Sequence, residues 1–275
     1  MQLSTIIPLA AFAIAAPTTD CKPTKPAAVA PTLPSTGSTD LPTPSSDLTL
    51  LYIAVGHGIQ NYTCASDNAT AVNIGALAVF YDATALYPSS GSASALSTAD
   101  WDDLTSSVLW DTSIPLNLVD QAVGTAPYAE DAATLYPEES YNADASDPFP
   151  APAAALTLAL PSGPRVQAPF LGRHYFDALS SPTIDLSGAR PALFFSGAKT
   201  GDVAAPAASD PGLLDTKAVD WLELADNGRG LSVGVSNVYR VVTAGGGAQA
   251  CSVSGATEAG EVFSVPYAAQ YWIYG

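Results

Sequence analysis

The second half of the chain carries short apolar segments at regular intervals, and this pattern restricts the fold more than any other feature. The segments are rich in β-branched and aromatic residues, and most are separated by Gly, Pro, Asn or Asp, which form turns. They run from Pro169 to Phe176, Ala192 to Ser196, Val219 to Leu224, Val238 to Thr243, and Val262 to the C-terminus. Alternating strands and helices, typical of a parallel sheet, are absent here. The sequence therefore predicts a mainly β fold, an antiparallel sandwich or distorted barrel.

The chain is strongly acidic. Its 275 residues include 26 Asp and Glu against 9 Lys and Arg, which makes a formal net charge of −17 at pH 7. Binding to nucleic acid requires Lys and Arg to neutralise phosphates, so we expect no nucleic-acid partner, and anionic membranes are disfavoured for the same reason. No Lys or Arg lies between Leu48 and Pro164, so most of the cations belong to the C-terminal half.

The N-terminus predicts secretion. Residues 1–16 contain an apolar run that is too short to span a bilayer and ends in small residues, as in a cleaved signal peptide. Residues 17–47 are dominated by Pro, Thr, Ser and Ala and predict a disordered, extended spacer suited to O-glycosylation. A pro-segment that is removed later is the alternative. We expect a single folded domain over residues 48–275 in an extracellular protein that has no membrane span after signal cleavage.

The folded part is predicted to begin with two strands. Thr49 to Val55 is a largely apolar run, and Ile59 to Cys64 alternates between polar and apolar residues. Between them, Gly56-His57-Gly58 predicts a sharp bend, because glycine permits backbone conformations that other residues rarely adopt.

Two N-glycosylation sequons follow closely. Asn61 begins Asn-Tyr-Thr and Asn68 begins Asn-Ala-Thr. Strand alternation places Tyr62 and Cys64 on one buried face and directs Asn61 outward. Both asparagines are therefore candidate glycosylation sites.

The next part of the chain is harder to assign. Val72 to Tyr81 fits either a buried strand or a helix. Residues 82–161 are rich in Ala, Ser, Pro and Tyr and predict a loop-rich, partly helical insertion. Ser97 or Thr98 is suited to cap a helix there, because acidic residues follow in the first turn.

Three cysteines, Cys21, Cys64 and Cys251, remain after signal cleavage, so one is left unpaired or forms an intermolecular bond in an oxidising compartment. Cys64 and Cys251 follow strand-like segments, whereas Cys21 lies in the spacer. We expect a Cys64–Cys251 disulfide, with a bridge from Cys21 to either partner as the alternative.

The two histidines are the candidate catalytic residues. His57 lies between glycines that would present its imidazole, and His174 lies in an aromatic strand. A turn histidine and a packing histidine are the structural alternatives. The spacing of the histidines and cysteines forms no recognised ligand set, so no metal site is predicted, although His57, His174 and a carboxylate could still converge in space.

Ser232 and Arg240 also carry side chains that could take part in chemistry. Ser232 lies in Gly-Leu-Ser-Val-Gly, which has the spacing of a nucleophile elbow, but a turn precedes it and a strand follows it. We therefore interpret Ser232 as a loop residue. Arg240 lies in an apolar strand and is expected to pair with a buried acid, Glu223 or Asp220.

The C-terminal strand places aromatic residues on both of its faces. Most of them are expected in the core. If one face were open, it would form a stacking platform for sugar rings, and a cell-wall polysaccharide would be its partner. The candidate binding residues on that face are Gln270, Trp272 and Tyr274.

Four separated blocks resemble a known family in both content and order. They are Gly56-His57-Gly58-Ile59-Gln60-Asn61-Tyr62-Thr63-Cys64, Leu171-Gly172-Arg173-His174-Tyr175-Phe176, Val219-Asp220-Trp221-Leu222-Glu223-Leu224, and a final block from Val238 to Gly246 that runs on to Cys251 and to Val265-Pro266-Tyr267-Ala268-Ala269-Gln270-Tyr271. Together they resemble DUF3455, a family of secreted fungal proteins of unknown function. The resemblance spans residues 49–275 and implies a label of malate dehydrogenase, which members often carry.

The residues do not support that label. A nicotinamide-binding fold needs a glycine-rich turn between a strand and a helix, so that backbone amides reach the pyrophosphate. The glycine run at 245–247 lacks this spacing, and Ala248 to Cys251 does not begin a helix. We therefore expect no cofactor.

Two functions are compatible with these sequence features. The first is a non-catalytic, extracellular or cell-wall-associated binding or structural module, which is favoured because no catalytic motif is assembled. The alternative is an extracellular enzyme or metal-binding protein that uses His57, His174 and nearby carboxylates.

Overall fold

The computed structural model describes residues 30–119, 141–160, 163, 165–254, 256 and 258–275. The predicted signal peptide and Cys21 lie outside these residues. Within them the chain forms ten strands and two α-helices. The strands are β1 (Leu50–Thr63), β2 (Val72–Asp82), β3 (Leu156–Leu158), β4 (Val166–Ala168), β5 (Phe170–Phe176), β6 (Pro182–Leu186), β7 (Leu193–Val203), β8 (Trp221–Asp226), β9 (Asn237–Gly245) and β10 (Val262–Tyr274). The helices are α1 (Thr98–Asp102) and α2 (Leu104–Asp111), and 3₁₀ turns occupy Thr84–Leu86 and Cys251–Val253.

Eight strands close into an antiparallel barrel in the order β1-β10-β9-β8-β7-β6-β5-β2, while β3 and β4 form a separate small sheet. Closure requires β1 to pair along both edges, with β10 on one side and β2 on the other. Register shifts in five of the strand pairs bend the wall. The prediction of a mainly β, antiparallel fold is confirmed, and the fold is the distorted barrel rather than the sandwich.

The predicted turn at Gly56-His57-Gly58 is wrong, because β1 is a single strand that runs straight through it. The two glycines instead allow neighbouring atoms to lie close to the β1 backbone. A Cβ on Gly56 would lie 2.7 Å from the Tyr271 ring and 2.8 Å from the Phe80 ring. A Cβ on Gly58 would lie 1.9 Å from the carbonyl oxygen of Leu77 on β2. Glycine here lets the interior rings and the neighbouring strand approach β1.

Two apolar layers use opposite faces of the barrel wall. One cluster draws residues from all eight barrel strands, among them Ala54, Phe80 and Tyr271, and is therefore the barrel interior. The other joins outward residues such as Ile53 and Trp272 to side chains of α1 and α2. The wall at β1, β2, β9 and β10 is thus covered on both sides. Because both faces of these strands are buried, their sequences are nearly continuous apolar runs.

The insertion between β2 and β4 covers the outer face of the barrel. Val72 to Tyr81, which the sequence leaves open between a strand and a helix, lies before the insertion and forms strand β2. Helix α1 begins as predicted, because Ser97 Oγ accepts a hydrogen bond from the Asp100 backbone N–H at 3.1 Å. Helix α2 then packs on β10 and β9. The predicted insertion therefore supplies the helices that bury the outward side chains.

The later part of the predicted spacer follows a defined course. Residues 30–47 carry no helix or strand, yet Leu41 is only 8% exposed and joins the outer apolar layer, against which Leu33 also packs. Leu41 therefore packs with the domain that is predicted to begin at residue 48.

None of the helices in the described ranges is long and apolar enough to cross a membrane.

The Cys64–Cys251 disulfide is confirmed. The two Sγ atoms are 2.08 Å apart and the Cα atoms 5.8 Å apart. The bridge ties the end of β1 to the segment between β9 and β10, where it packs with Tyr62 and Phe263. It therefore closes a loop that contains most of the barrel.

Replacing Cys64 and Cys251 together by Ala should lower the stability markedly. The bridge spans 187 positions of sequence. In the chain-entropy account, closing so long a loop stabilises the fold by up to about 5 kcal/mol. Urea unfolding of the variant and the parent measures the loss, and Cys21→Ala, as the matched control, should leave the transition midpoint in place. An unchanged midpoint in the double variant would contradict this assignment.

Candidate functional site

A cavity of about 610 Å³ opens inside the barrel, at the end where β5 turns into β6. Small and apolar side chains form much of its wall: Ala76, Phe176, Leu222 and Leu224. Gln60 and Asn73 add polar groups, and Asn73 Nδ2 donates to Gln60 Oε1 at 3.2 Å. The cavity exists because the interior is filled unevenly. Phe80 and Tyr271, whose ring centroids are 4.3 Å apart, fill the barrel next to Gly56, whereas β2 presents the smaller Ala76 and Asn73 nearer the opening.

Arg240 of β9 lies in the wall of this cavity and is only 8% exposed. Its Nη2 donates to the backbone carbonyl of Asp220 at 2.8 Å, while its Nε is buried without an acceptor. The expectation of a pair with a buried carboxylate is therefore wrong for Glu223. Arg240 pairs in register with Leu222, so Glu223 faces the other side of the wall, where it accepts from Tyr239. Asp220 contributes its carbonyl rather than its carboxylate.

A bulge in β9 lies just beyond Arg240. Ala268 pairs with Ala244 and Gln270 with Val241, which leaves an extra residue on β9. Val242 there has φ of +46°, a strained conformation for a β-branched residue. The bulge allows Thr243 Oγ1 to donate to the carbonyl of Val219 at 2.6 Å. Strained backbone therefore lies directly beside the cavity wall.

The cavity gathers positive charge in an acidic protein. Four of the nine cationic residues line it, namely Lys199, Lys217, Arg229 and Arg240. Asp220 is the one carboxylate among the described lining residues. Lys199 pairs with Asp202 at 3.1 Å, and Arg229 pairs with Asp177. The Lys199–Asp202 pair is exposed and screened by solvent, whereas the Arg229–Asp177 pair is partly buried. Lys217 and Arg240 are the lining cations without a carboxylate within 4.0 Å among the described residues.

His174 also lines the cavity. Its ring lies among the rings of Phe80, Phe176 and Tyr271. Nδ1 is 2.9 Å from the carbonyl oxygen of Thr183, so Nδ1 carries the hydrogen and Nε2 is an acceptor. Burial lowers the pKa of His174 to about 4, and the positive charge of Arg240 acts in the same direction. His174 is therefore neutral at neutral pH.

His57 lies on the opposite face of the barrel wall. It pairs in register with Val79 of the outer layer, whereas His174 pairs with Ala78 of the interior. Thr112 Oγ1 donates to the carbonyl of Val108, so it accepts from His57 Nδ1, 3.1 Å away. The structure therefore does not bring the two candidate catalytic histidines together. The cause is their position: odd-numbered residues of β1 face outward and even-numbered ones face inward.

The chain matches a family described as "Protein of unknown function (DUF3455)" over residues 44–275. It belongs to this family. None of the curated proteins matches the chain, and none of the solved structures does.

The fold of this DUF3455 chain has no cofactor turn at the glycine run. Gly245 ends β9, and the chain continues to the short 3₁₀ turn at Cys251–Val253 rather than into an α-helix. The strand–turn–helix that presents amides to a pyrophosphate is therefore missing at this position. In the part of the chain that the structure describes, no three His, Cys, Asp or Glu side chains are arranged to hold a metal ion.

Ser232 lies in the connection between β8 and β9, in agreement with its interpretation as a loop residue. Its Oγ donates to Asp226 Oδ1 and accepts from the Ser196 backbone N–H at 3.1 Å. The hydroxyl therefore stabilises the loop.

The predicted stacking platform is not exposed in this DUF3455 barrel. Gln270 is 1%, Trp272 0% and Tyr274 7% exposed. Trp272 Nε1 donates to Gln270 Oε1 at 3.1 Å, and Tyr87 from the insertion packs edge-on against the Trp272 ring. These residues are buried because the insertion covers the outer face of β10, so they cannot stack on a sugar in solution.

Both sequon asparagines are accessible. Asn68 is exposed, and Asn61 is half-buried on the face opposite to Tyr62 and Cys64, as the alternation predicts. Asn61 Oδ1 accepts from Ser264 Oγ at 2.9 Å. N-glycosylation at either position stays a prediction.

Sequence reasoning selected His174 as a candidate catalytic residue, with packing as the alternative, and Arg240 as the partner of a buried acid. It missed Gln60, Asn73 and Lys217 as cavity residues. One available signal was the charge distribution, because seven of the nine cationic residues follow Pro164. The strand order that brings them to one opening is not visible in the sequence.

Replacing His57 by Gln should reduce the loss of stability in acid. Burial lowers the pKa of His57 to about 3, whereas in the unfolded chain the pKa lies near the ordinary histidine value of 6.5. Below that value the unfolded chain takes up a proton that the native state excludes, so His57 costs stability as the pH falls from 6.5 towards 3. Between pH 7 and pH 5 the parent should lose about 2 kcal/mol more than His57→Gln. Urea unfolding at both pH values gives the comparison, and parallel losses would contradict the burial of a neutral His57.

Proposed function

We propose that this protein is a secreted, non-catalytic binding protein that holds one small organic molecule in the barrel cavity. The observation that carries the proposal is the cavity itself. Its volume of about 610 Å³ lies within the range of small-molecule sites. An eight-stranded barrel has an interior wide enough for one such ligand when side chains do not fill it.

The composition of the wall supports binding. Ala76, Phe176, Leu222 and Leu224 offer apolar surface, and a few polar groups are interspersed among them. Gln60 is 3% exposed. Its Oε1 accepts from Asn73, whereas its Nε2, near the Tyr267 hydroxyl, makes no hydrogen bond of normal geometry. A mostly apolar wall with a few unsatisfied polar atoms is typical of a ligand site.

A binding role fits the arrangement better than a catalytic one. His174 uses Nδ1 on a backbone carbonyl, and His57 lies outside the barrel interior. The buried face of Gln270, Trp272 and Tyr274 gives no reason to extend the proposal to a cell-wall polysaccharide. Secretion is supported by the apolar N-terminal run and by the disulfide, which persists in oxidising compartments.

Binding of N-phenylnaphthylamine, an uncharged probe that fluoresces in apolar surroundings, tests the proposal. We expect saturable binding of one probe per folded protein. Leu222→Trp places a larger ring in the cavity wall and should weaken binding by about tenfold or more. Leu222 is partly exposed, so the variant should keep its fold, and circular dichroism checks this.

The matched control is Leu231→Trp. Leu231 is 44% exposed and is not among the described residues that line the cavity. This variant should bind the probe like the parent. Absence of saturable binding, or equal affinity in the Leu222→Trp protein, would overturn the proposal.

A further inference from the structure

We infer that the cavity takes an amphipathic organic anion, with the anionic head on Arg240 and the apolar body against the barrel wall. This inference rests on the proposed binding function and adds the chemical class of the ligand. Three features of the cavity support it: a buried cation without a carboxylate partner, buried donors without acceptors, and further cations at the edge.

The first feature is the state of Arg240. More than nine-tenths of the residue is buried, and its Nε has no acceptor. Among the described residues, no carboxylate oxygen lies within 4.0 Å of its guanidinium nitrogens. Leaving a buried guanidinium without a counter-ion is costly, and a planar fork of N–H donors matches a carboxylate. A bound anion supplies the missing partner.

The second feature is the surplus of donors. Gln60 Nε2, on β1, is a buried donor without an acceptor in the same cavity as Arg240 Nε. Two neighbouring carbonyl oxygens are already engaged, because Asp220 accepts from Arg240 Nη2 at 2.8 Å and Gly246 accepts from the Tyr62 hydroxyl at 2.7 Å. Two free donors within one cavity favour a ligand that brings acceptor oxygens.

The third feature is the charge at the edge. Lys199, Lys217 and Arg229 lie at the edge beside Arg240. Lys199 and Arg229 pair with Asp202 and Asp177, whereas Lys217, like Arg240, has no carboxylate within 4.0 Å among the described residues. The protein as a whole carries a charge of −17, so an anion approaching elsewhere is repelled. A positive opening on a negative surface directs anionic ligands to that opening.

The apolar wall requires the ligand to be more than an anion. Phe176 and Leu224 line the cavity but offer nothing to an inorganic ion. The Tyr271 and His174 rings extend the same wall into the interior. Only a molecule with a hydrocarbon or aromatic body uses both parts of the cavity.

Two probes with nearly the same ring skeleton separate charge from shape. Anilinonaphthalene sulfonate is anionic, and N-phenylnaphthylamine is its uncharged counterpart. We expect the parent to bind the anionic probe more tightly. Arg240→Met should weaken binding of the anionic probe about tenfold more than it changes binding of the uncharged probe. Arg165→Met, at an exposed arginine that is not among the described lining residues, is the matched control and should change neither affinity.

A second variant avoids the protein core. Lys217 is exposed at the cavity edge, so Lys217→Gln should fold normally. The affinity for the anionic probe should fall severalfold, and it should depend less on salt concentration than in the parent. Equal affinities of the parent and this variant at low salt would count against the inference.

Displacement experiments identify the head group and the body. Decanoate and decyl phosphate should displace the anionic probe. The one that displaces it at the lower concentration carries the preferred head group. Decanol and inorganic phosphate should displace it much more weakly, because each lacks one half of the ligand. If the uncharged probe fails to bind, the proposed function fails. If it binds, but Arg240→Met affects both probes equally, binding stands and the assignment of an anion is overturned.

Discussion

The architecture depends on the way β1 is packed on both of its faces. Inside the barrel, Gly56 and Gly58 leave no room for a Cβ against the rings of Phe80 and Tyr271 and the backbone of β2. Outside, alternate residues of the same strand lie beneath the insertion. Because β1 also pairs along both edges, it closes the barrel, fixes where the interior rings lie, and so determines which part of the interior is filled and which part remains a cavity.

The packing of both faces of the barrel wall explains why two residue patterns gave wrong predictions. A glycine–histidine–glycine sequence is typical of a turn, yet here the glycines serve contact with ring atoms and His57 is an outward strand residue. The aromatic face of β10 resembles a sugar platform, yet helices from a distant part of the chain cover it. In both places the residue types are correct for either role, and only a long-range neighbour decides between them.

Those parts of the fold that depend on local sequence patterns could be predicted. Most strands, the disulfide and the Ser97 cap follow from alternation, turn residues and capping chemistry. Strand β6 was missed because it begins at Pro182 and has only five residues. The cavity was not predictable, because Gln60, His174 and Arg240 lie on strands whose neighbours are set by barrel closure rather than by spacing in the sequence. The predicted role of Arg240 failed for the same reason: register, not proximity in sequence, selected Leu222 rather than Glu223 as its partner.

Two features that lower the stability of the fold occur together at the barrel cavity. An unfilled interior loses packing contacts that a filled barrel would have, and a buried Arg240 without a counter-ion carries an uncompensated desolvation cost. A hydrophobic residue at position 240 and larger side chains on β2 would remove both costs without altering the strand order. A strained Val242 stands beside them and adds a third. Stability alone does not account for three such features around one opening, whereas a single apolar molecule with an anionic head fills the space and pairs the charge.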